Sequence, residues 1–172
     1  MKLYRAKIPV IAKEIVDRLA VDGDIEVVAD RKEEAERDLA AIMEEYLRRD
    51  SELRDRVGDF MDSRGLPYSH FGRTRKRLAE EMGHPMGDDV ERYLTRQFIE
   101  NMFISPNVEE VFEEDEVMHR KVIAVLKSHD VDEEEIRQEA ATKVKNVREG
   151  TVDYEIALRR AIKDVKKRRG LL

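Results

Sequence analysis

The chain has 172 residues, which suits one domain of ordinary size or two small ones and allows a sizeable buried core. Charged residues make up 42% and aromatic residues 6%, a balance typical of soluble helices whose outer faces carry charges of both signs. The 33 Lys and Arg against 39 Asp and Glu give a net charge of -6, which excludes a whole-molecule field that attracts phosphate. Any anion site must therefore be local.

The chain contains no cysteine, which excludes disulfides, thiolate nucleophiles, iron–sulfur clusters and cysteine-based zinc sites. Its longest apolar runs are far shorter than the roughly eighteen residues that a membrane helix needs. An apolar patch near the start is interrupted by Lys13, Glu14 and Asp17 before it reaches the length of a signal-peptide core. We therefore expect a cytoplasmic protein without a membrane partner.

The first half of the chain predicts four amphipathic helices. Their apolar stripes are, in order, Ile8, Ile11, Ala12, Ile15 and Leu19; Ala35, Leu39, Ile42, Met43 and Tyr46; Leu53, Val57, Phe60 and Met61; and Phe71, Leu78 and Met82. Gly23, Gly65 and Gly83 end the first, third and fourth helices. Asp30 followed by Glu33 predicts a capping box at the start of the second. The segment "DGDIEVV" and its later counterpart "SPNVEEVF" are predicted to be loops, because a few extended residues do not make a sheet.

The second half of the chain repeats this pattern. Ile15 and Leu39 correspond to Phe98 and Val122, which lie 83 positions further on. A match within one helix would mean little, since any two amphipathic helices can be slid into register. The agreement here extends over four successive helices and their stops, and it therefore predicts a tandem duplication.

The repeat divides the chain into residues 1–86 and 87–172. The joint is predicted at "HPMGD", where Pro85 and Gly87 both oppose helix. Because this segment is too short for a free linker, the halves are expected to pack together. The predicted fold is all-α, with two tandem, related four-helix units, either as two domains or as one compact domain with an internal duplication.

Both ends of the chain carry a resemblance to a known family. The segments are "MKLYRAKIPVIAKEIVDRLAVDGDIEV" and "VREGTVDYEIALRRAIKDVKKRRGLL". They resemble the two ends of the bacterial family catalogued as domain of unknown function 507, whose members begin with an amphipathic helix ending in a D-G turn and finish with an R-R-G-like tail. The resemblance covers the whole length, since members occur in single and doubled form. It implies a small bacterial all-α protein and supplies no activity and no site residues.

No motif predicts catalysis or metal binding. Ser128, His129 and Asp130 are adjacent, whereas a catalytic triad needs side chains that converge from separated elements. The acidic segment "DVDEEEIRQE" has Glu135 where a calcium loop needs glycine, and Asp132 with Glu135 is better explained as a capping box. The other histidines have no metal-ligating spacing, and the glycines form no phosphate loop. We therefore predict no enzyme, no catalytic residue, no metal and no cofactor.

Two basic helices remain as candidate sites for an anion or a nucleic acid. The candidate residues are Arg73, Lys76 and Arg77 on the fourth predicted helix, and Arg159, Arg160, Lys163, Lys166 and Lys167 on the last. Cations at a helix C-terminus also stabilise the helix, and pairs such as Arg77 with Glu81 neutralise charge locally. Three interpretations stay open: solvated or internally paired charge, nucleic-acid binding, and an acidic protein partner.

The sequence favours a function without a reaction centre. A duplicated bundle without catalytic residues can reproduce a pseudo-symmetric dimer with a shared face or groove. We expect a structural or adaptor protein that acts through protein–protein interaction with an unidentified partner, and the sequence assigns no oligomeric state. The alternative is sequence-independent nucleic-acid binding through the basic helices, mainly to phosphates, since the aromatic residues fit the apolar faces and leave few exposed rings for base stacking.

Overall fold

A computed structural model describes residues 1–145 and 147–172, which form seven α-helices and one small antiparallel sheet. The helices are α1 (Ile8–Val21), α2 (Lys32–Ser63), α3 (Phe71–Glu81), α4 (Asp89–Ile104), α5 (Asp115–Ser128), α6 (Glu133–Ala141) and α7 (Val152–Arg168), and the strands are β1 (Ile25–Val27) and β2 (Val108–Val111). The predicted all-α fold class is confirmed, because the sheet is only a minor addition. Within the described residues, no helix is long and apolar enough to cross a membrane.

The second and third predicted helices of the first half are one continuous helix, α2. It has 32 residues, about 48 Å at about 1.5 Å per residue. No glycine or proline interrupts the stretch between Tyr46 and Leu53. Arg48 pairs with Glu45 at 2.7 Å and with Glu52 at 3.4 Å across that stretch, which stabilises the helix where the apolar stripe changes. The first half therefore has three helices, and the prediction of four was wrong.

The corresponding region of the second half is broken. After α5 ends, residues 129–132 leave the helix, and α6 starts at a new cap. The Asp132 carboxylate accepts hydrogen bonds from the backbone N–H groups of Glu134 at 2.8 Å and Glu135 at 3.1 Å. These bonds satisfy donors that an isolated helix start leaves free, so the predicted cap at Asp132 is present.

The two segments predicted to be loops pair with each other as β1 and β2. Ile25 lies opposite Val111 and Glu26 opposite Glu110, with an irregularity in register after Glu26. Each strand is too short to be recognised alone, and its hydrogen-bonding partner comes from the other half of the chain. The loop prediction was wrong because it considered each segment separately.

One apolar core joins both halves of the chain. The first half of α2 and helices α1, α4 and α5 surround it, and α1 packs on both α2 and α5 while α4 packs on both α5 and α2. Ile15, Leu39, Phe98 and Val122 all lie in this core and expose at most 1% of their surface. Positions 83 residues apart thus share one environment. The duplication and the boundary after residue 86 stay predictions.

Two helical arms extend from the end of the core that lies opposite the sheet. The sheet joins the C-terminal ends of α1 and α4 to the N-terminal ends of α2 and α5, so it lies at one end of the core. The second half of α2 continues past the other end and packs on α3. Helices α6 and α7 pack on each other there, around a separate apolar cluster.

Tyr4 connects the α6–α7 arm to the rest of the molecule. It is 7% exposed and belongs to the α6–α7 cluster, although it precedes α1. The ammonium groups of Lys2 and Lys166 lie 5.4 and 5.2 Å from the centre of its ring, within cation–π range. Both ammonium groups also pair with Glu133, at 3.3 and 2.8 Å.

A shared core predicts that substitutions in either half destabilise one cooperative unit. We expect Leu39→Ala and Phe98→Ala to lower the free energy of unfolding by about 2–5 and 3–5 kcal/mol, because each leaves a buried cavity. The matched control is Val21→Ala, which changes a side chain that is 85% exposed and should cost less than about 0.5 kcal/mol. Urea unfolding followed by circular dichroism measures these values. Two separate transitions, each shifted by only one of the variants, would contradict the shared core.

Candidate functional site

A buried ion pair fixes the turn that leads into β1. The Lys121 ammonium on α5 donates to both carboxylate oxygens of Asp24, at 2.8 and 2.7 Å, and lies 2.9 Å from Asp22. Asp24 is only 3% exposed, and a buried carboxylate is stable only when it is paired. The hydrogen bond from Lys121, followed by that from Arg18, lowers the pKa of Asp22, and the two carboxylates raise the pKa of Lys121. The pair ties α5 to the end of α1.

A second polar cluster fixes the turn that leads into β2. Asp38 on α2 accepts hydrogen bonds from the Ser105 hydroxyl at 2.6 Å and the Asn107 side-chain amide at 2.9 Å. Ser105 and Asn107 are each 8% exposed. This cluster ties α2 to the end of α4, as the Lys121 pair ties α5 to the end of α1.

The two clusters are related by the same offset of 83 positions that the sequence shows. Asp38 and Lys121 lie 83 positions apart. The residues that they hold are separated by the same interval: Asp22 and Ser105, and Asp24 and Asn107. We name the two clusters together the crossed clamps, because each half of the chain holds the turn of the other. Such reciprocal contacts are the pattern of a two-fold interface.

The crossed clamps support a surface with exposed apolar side chains. Val21 and Ile104 end α1 and α4, and they are 85% and 80% exposed. Phe103 and Phe112 are more than half exposed as well. The backbone N–H of Phe112 donates to the Asp24 carbonyl at 2.8 Å, which places this ring beside the turn after α1. All four side chains thus lie around one two-stranded ribbon, about 13 Å long at about 3.3 Å per residue.

The strands of the same ribbon carry three exposed carboxylates. Glu26, Glu109 and Glu110 are exposed on the two strands. We name these three residues, together with Val21, Phe103, Ile104 and Phe112, the sheet-end face. Several large apolar side chains exposed close to one another are typical of a docking surface. This surface was not predicted from the sequence, although Phe103 and Ile104 lie outside the apolar stripe of their own helix.

Two of the eight candidate basic residues form ion pairs. Lys166 pairs with Glu133 at 2.8 Å and its side chain is 12% exposed, so it holds the α6–α7 arm together. Arg77 pairs with Glu81 at 3.3 Å, as the sequence predicted. These two side chains serve the structure of the arms.

The other six candidate residues are exposed and have no carboxylate within 4.0 Å among the residues that the structure describes. They are Arg73 and Lys76 on α3, and Arg159, Arg160, Lys163 and Lys167 on α7. The structure does not bring them into one cluster, because α3 packs on α2 and α7 packs on α6. The basic residues therefore form two sets on separate arms.

The outer side of α7 combines these cations with apolar residues. Val152 is 76% exposed and Ile156 is 53% exposed. Steps of three or four residues align side chains on one face of a helix, so both lie in a row with Arg160, Lys163 and Lys167. We name these five residues and the adjacent Arg159 the α7 outer face.

The adjacent Ser128, His129 and Asp130 do not form a catalytic group. The Ser128 hydroxyl donates to the carbonyl of Val125 at 2.7 Å, and the His129 Nε2 lies 2.7 Å from a Glu14 carboxylate oxygen on α1. Asp130 accepts from the backbone N–H of Val131. The three side chains thus have three different partners. In residues 1–145 and 147–172, no group of three or more His, Asp and Glu side chains is arranged to hold a metal ion.

A polar cleft of about 460 Å³ lies between α2, α3 and the first residues of the chain. Its charged lining is neutralised internally, since Asp50 accepts hydrogen bonds from Arg75 at 2.6 Å and Arg54 at 3.2 Å. The buried His84 stacks on Tyr46 behind this cleft, with 4.9 Å between ring centres, and its Nε2 lies 3.4 Å from Asp50. Burial lowers the pKa of His84. This cluster packs the segment between α3 and α4 against α2.

The fold and its surfaces define a mainly α-helical protein with a shared four-helix core and two helical arms. The chain belongs to the family described as "Protein of unknown function (DUF507)", which matches residues 1–171. This match confirms the resemblance that the two ends of the sequence indicated. No curated protein matches the chain.

We expect removal of the Lys121 ammonium to loosen the turn after α1. Because the pKa of Asp22 is lowered in the folded state, its pairing stabilises the protein above the ordinary value of 3.8 and is lost as the pH falls through the folded value. Lys121→Met should therefore lower Tm by several degrees at pH 7, and its difference from the wild type should shrink below pH 3.8.

Thermal unfolding by circular dichroism between pH 7 and pH 3 measures this effect. The matched control is Lys127→Met, which removes an exposed ammonium from the same helix. A difference in Tm that stays constant over this pH range would contradict the role of the ion pair.

Proposed function

We propose that the protein is a non-enzymatic interaction module that binds a protein partner on its sheet-end face. The observation that carries the proposal is the exposure of Val21, Phe103, Ile104 and Phe112 around a ribbon that the crossed clamps hold. A partner that is complementary to this face presents apolar side chains together with Lys or Arg.

The apolar and the acidic residues have separate roles in this proposal. Burial of the apolar side chains favours binding because it removes their surface from water. The glutamates speed the encounter with a basic partner and select against acidic ones. The crossed clamps hold the backbone of both turns, so little ordering is needed on binding and less affinity is lost to entropy.

In our proposal, this surface arose when the repeat was formed. Matching residues in one core and the reciprocal clamps support an ancestral duplication, in which two copies of one unit fused into a pseudo-dimer. In such a pseudo-dimer the two equivalent turns come together at one end. The docking surface is then a product of the fusion and would be incomplete in a single unit.

The proposal predicts that Ile104→Ser with Phe112→Ser abolishes partner capture. Both side chains are exposed, so the fold should remain intact while the apolar contact is lost. The measurement is a pull-down from native cells at physiological salt, with each captured protein then titrated against purified variants. We expect at least a tenfold loss of affinity, which corresponds to about 1.4 kcal/mol.

The matched control is Val10→Ser with Tyr68→Ser, which removes two exposed apolar side chains outside the sheet-end face. It should bind the partner as the wild type does. The proposal fails if no partner survives washing, or if the double variant at positions 104 and 112 captures the same partner with unchanged affinity.

The unpaired cations support a second candidate function, sequence-independent binding of nucleic acid. Its affinity should fall steeply with salt, with a slope of about −0.7 to −0.9 per phosphate contact. Arg160→Glu, Lys163→Glu and Lys167→Glu together should abolish a gel shift with mixed RNA and DNA. Lys166 is left unchanged because its charge is already paired with Glu133.

A further inference from the structure

Two surfaces of the molecule have matching chemistry and opposite charge. The sheet-end face has four exposed apolar side chains and the carboxylates of Glu26, Glu109 and Glu110. The α7 outer face has two exposed apolar side chains and four cations without a carboxylate within 4.0 Å among the described residues. The carboxylates of the sheet-end face can therefore pair with the cations of the α7 outer face.

The two surfaces lie at opposite ends of the molecule and cannot meet within one chain. Helix α5 alone, with 14 residues, separates the ribbon from the start of the α6–α7 arm by about 21 Å. Tyr4 and the Lys2–Glu133 pair hold the arm at the far end. Their complementarity can be satisfied only between molecules.

We propose that the α7 outer face of one copy docks on the sheet-end face of a second copy, so that the protein associates head to tail. This inference rests on the proposed function, because it uses the same surface and names its partner. The contact is heterologous, which leaves one free surface at each end of a dimer. Further copies add until the chain closes into a ring or grows as a filament.

The exposed apolar residues of α7 favour a protein over a nucleic acid as the occupant of this face. Phosphates would contact Arg160, Lys163 and Lys167 but leave Val152 and Ile156 in water. A second copy covers Val152 and Ile156 with Phe103, Ile104 or Phe112. The glutamates of its ribbon form ion pairs with the cations of α7.

Sedimentation velocity over a concentration series tests the proposal with the intact chain. We expect the average mass of the wild type to increase with concentration at 50 mM NaCl. The apparent Kd should rise about tenfold or more at 500 mM NaCl, because salt screens the paired faces. A wild type that stays monomeric at all concentrations and at low salt overturns the inference.

Two variants separate the two surfaces. Ile104→Ser with Phe112→Ser disables the sheet-end face, and Arg160→Glu with Lys163→Glu disables the α7 outer face. Each variant alone should be monomeric. An equal mixture should form a heterodimer that grows no further, because only one intact pair of surfaces remains. A mixture that stays monomeric overturns the head-to-tail contact, since a symmetric contact through either face would not be rescued by mixing.

Crosslinking provides a measurement that does not depend on loss of binding. The chain has no cysteine, so introduced thiols are unique. Glu110→Cys in one copy and Lys163→Cys in another should form a disulfide under mild oxidation at least tenfold faster than the pair of Glu110→Cys with Lys13→Cys. Lys13 is an exposed lysine on α1 and serves as the control. Equal rates for both pairs overturn the inference.

The outcomes distinguish this inference from the proposed function. A monomeric wild type whose captured partner is lost in the Ile104→Ser, Phe112→Ser variant overturns self-association and leaves the docking function in place. A monomeric wild type that loses nucleic-acid binding in the Arg160→Glu, Lys163→Glu variant overturns self-association and assigns α7 to nucleic acid. Self-association with no other captured protein supports the inference, with the second copy as the partner.

Discussion

The ion pair between Lys121 and the buried Asp24 is the constraint on which the organisation of the molecule depends. A carboxylate that is 3% exposed needs a cation close by, and here the cation comes from the other half of the chain. The requirement fixes α5 against the turn after α1. The hydrogen bonds that Asp38 accepts fix α2 against the turn after α4. These contacts help to align β1 with β2, so the sheet and the sheet-end face depend on polar groups that neither half can satisfy alone.

Local features of the fold could be predicted from the sequence. The apolar stripes containing Leu39 and Val122 predicted helices because helical periodicity needs only neighbouring residues. The pairing of β1 with β2 could not be predicted, since each strand has three or four residues and its partner is distant in sequence. The continuity of α2 was also missed, because the pairs that Arg48 makes with Glu45 and Glu52 compensate for the change in the apolar stripe.

The candidate site was predictable to the same extent. The basic residues of α3 and α7 were found from the sequence, and so was the Arg77–Glu81 pair, which lies within one helical turn. The pairing of Lys166 with Glu133 spans 33 positions and requires the packing of α7 on α6. The exposed Phe103, Ile104 and Phe112 gave only a weak signal, since an apolar residue off its stripe is common on protein surfaces. These residues can be recognised as one surface only when the ribbon that brings them together is known.

The two arms are joined to the core in different ways. The first continues the unbroken helix α2, so bending it would break backbone hydrogen bonds of that helix. The second follows α5 after residues 129–132, where the helix is interrupted, and Tyr4 packs in the apolar cluster of α6 and α7. The position of α7 therefore depends on a side chain about 150 positions earlier in the sequence. The first arm is thus held by the continuity of one helix, and the second by side-chain contacts with the start of the chain.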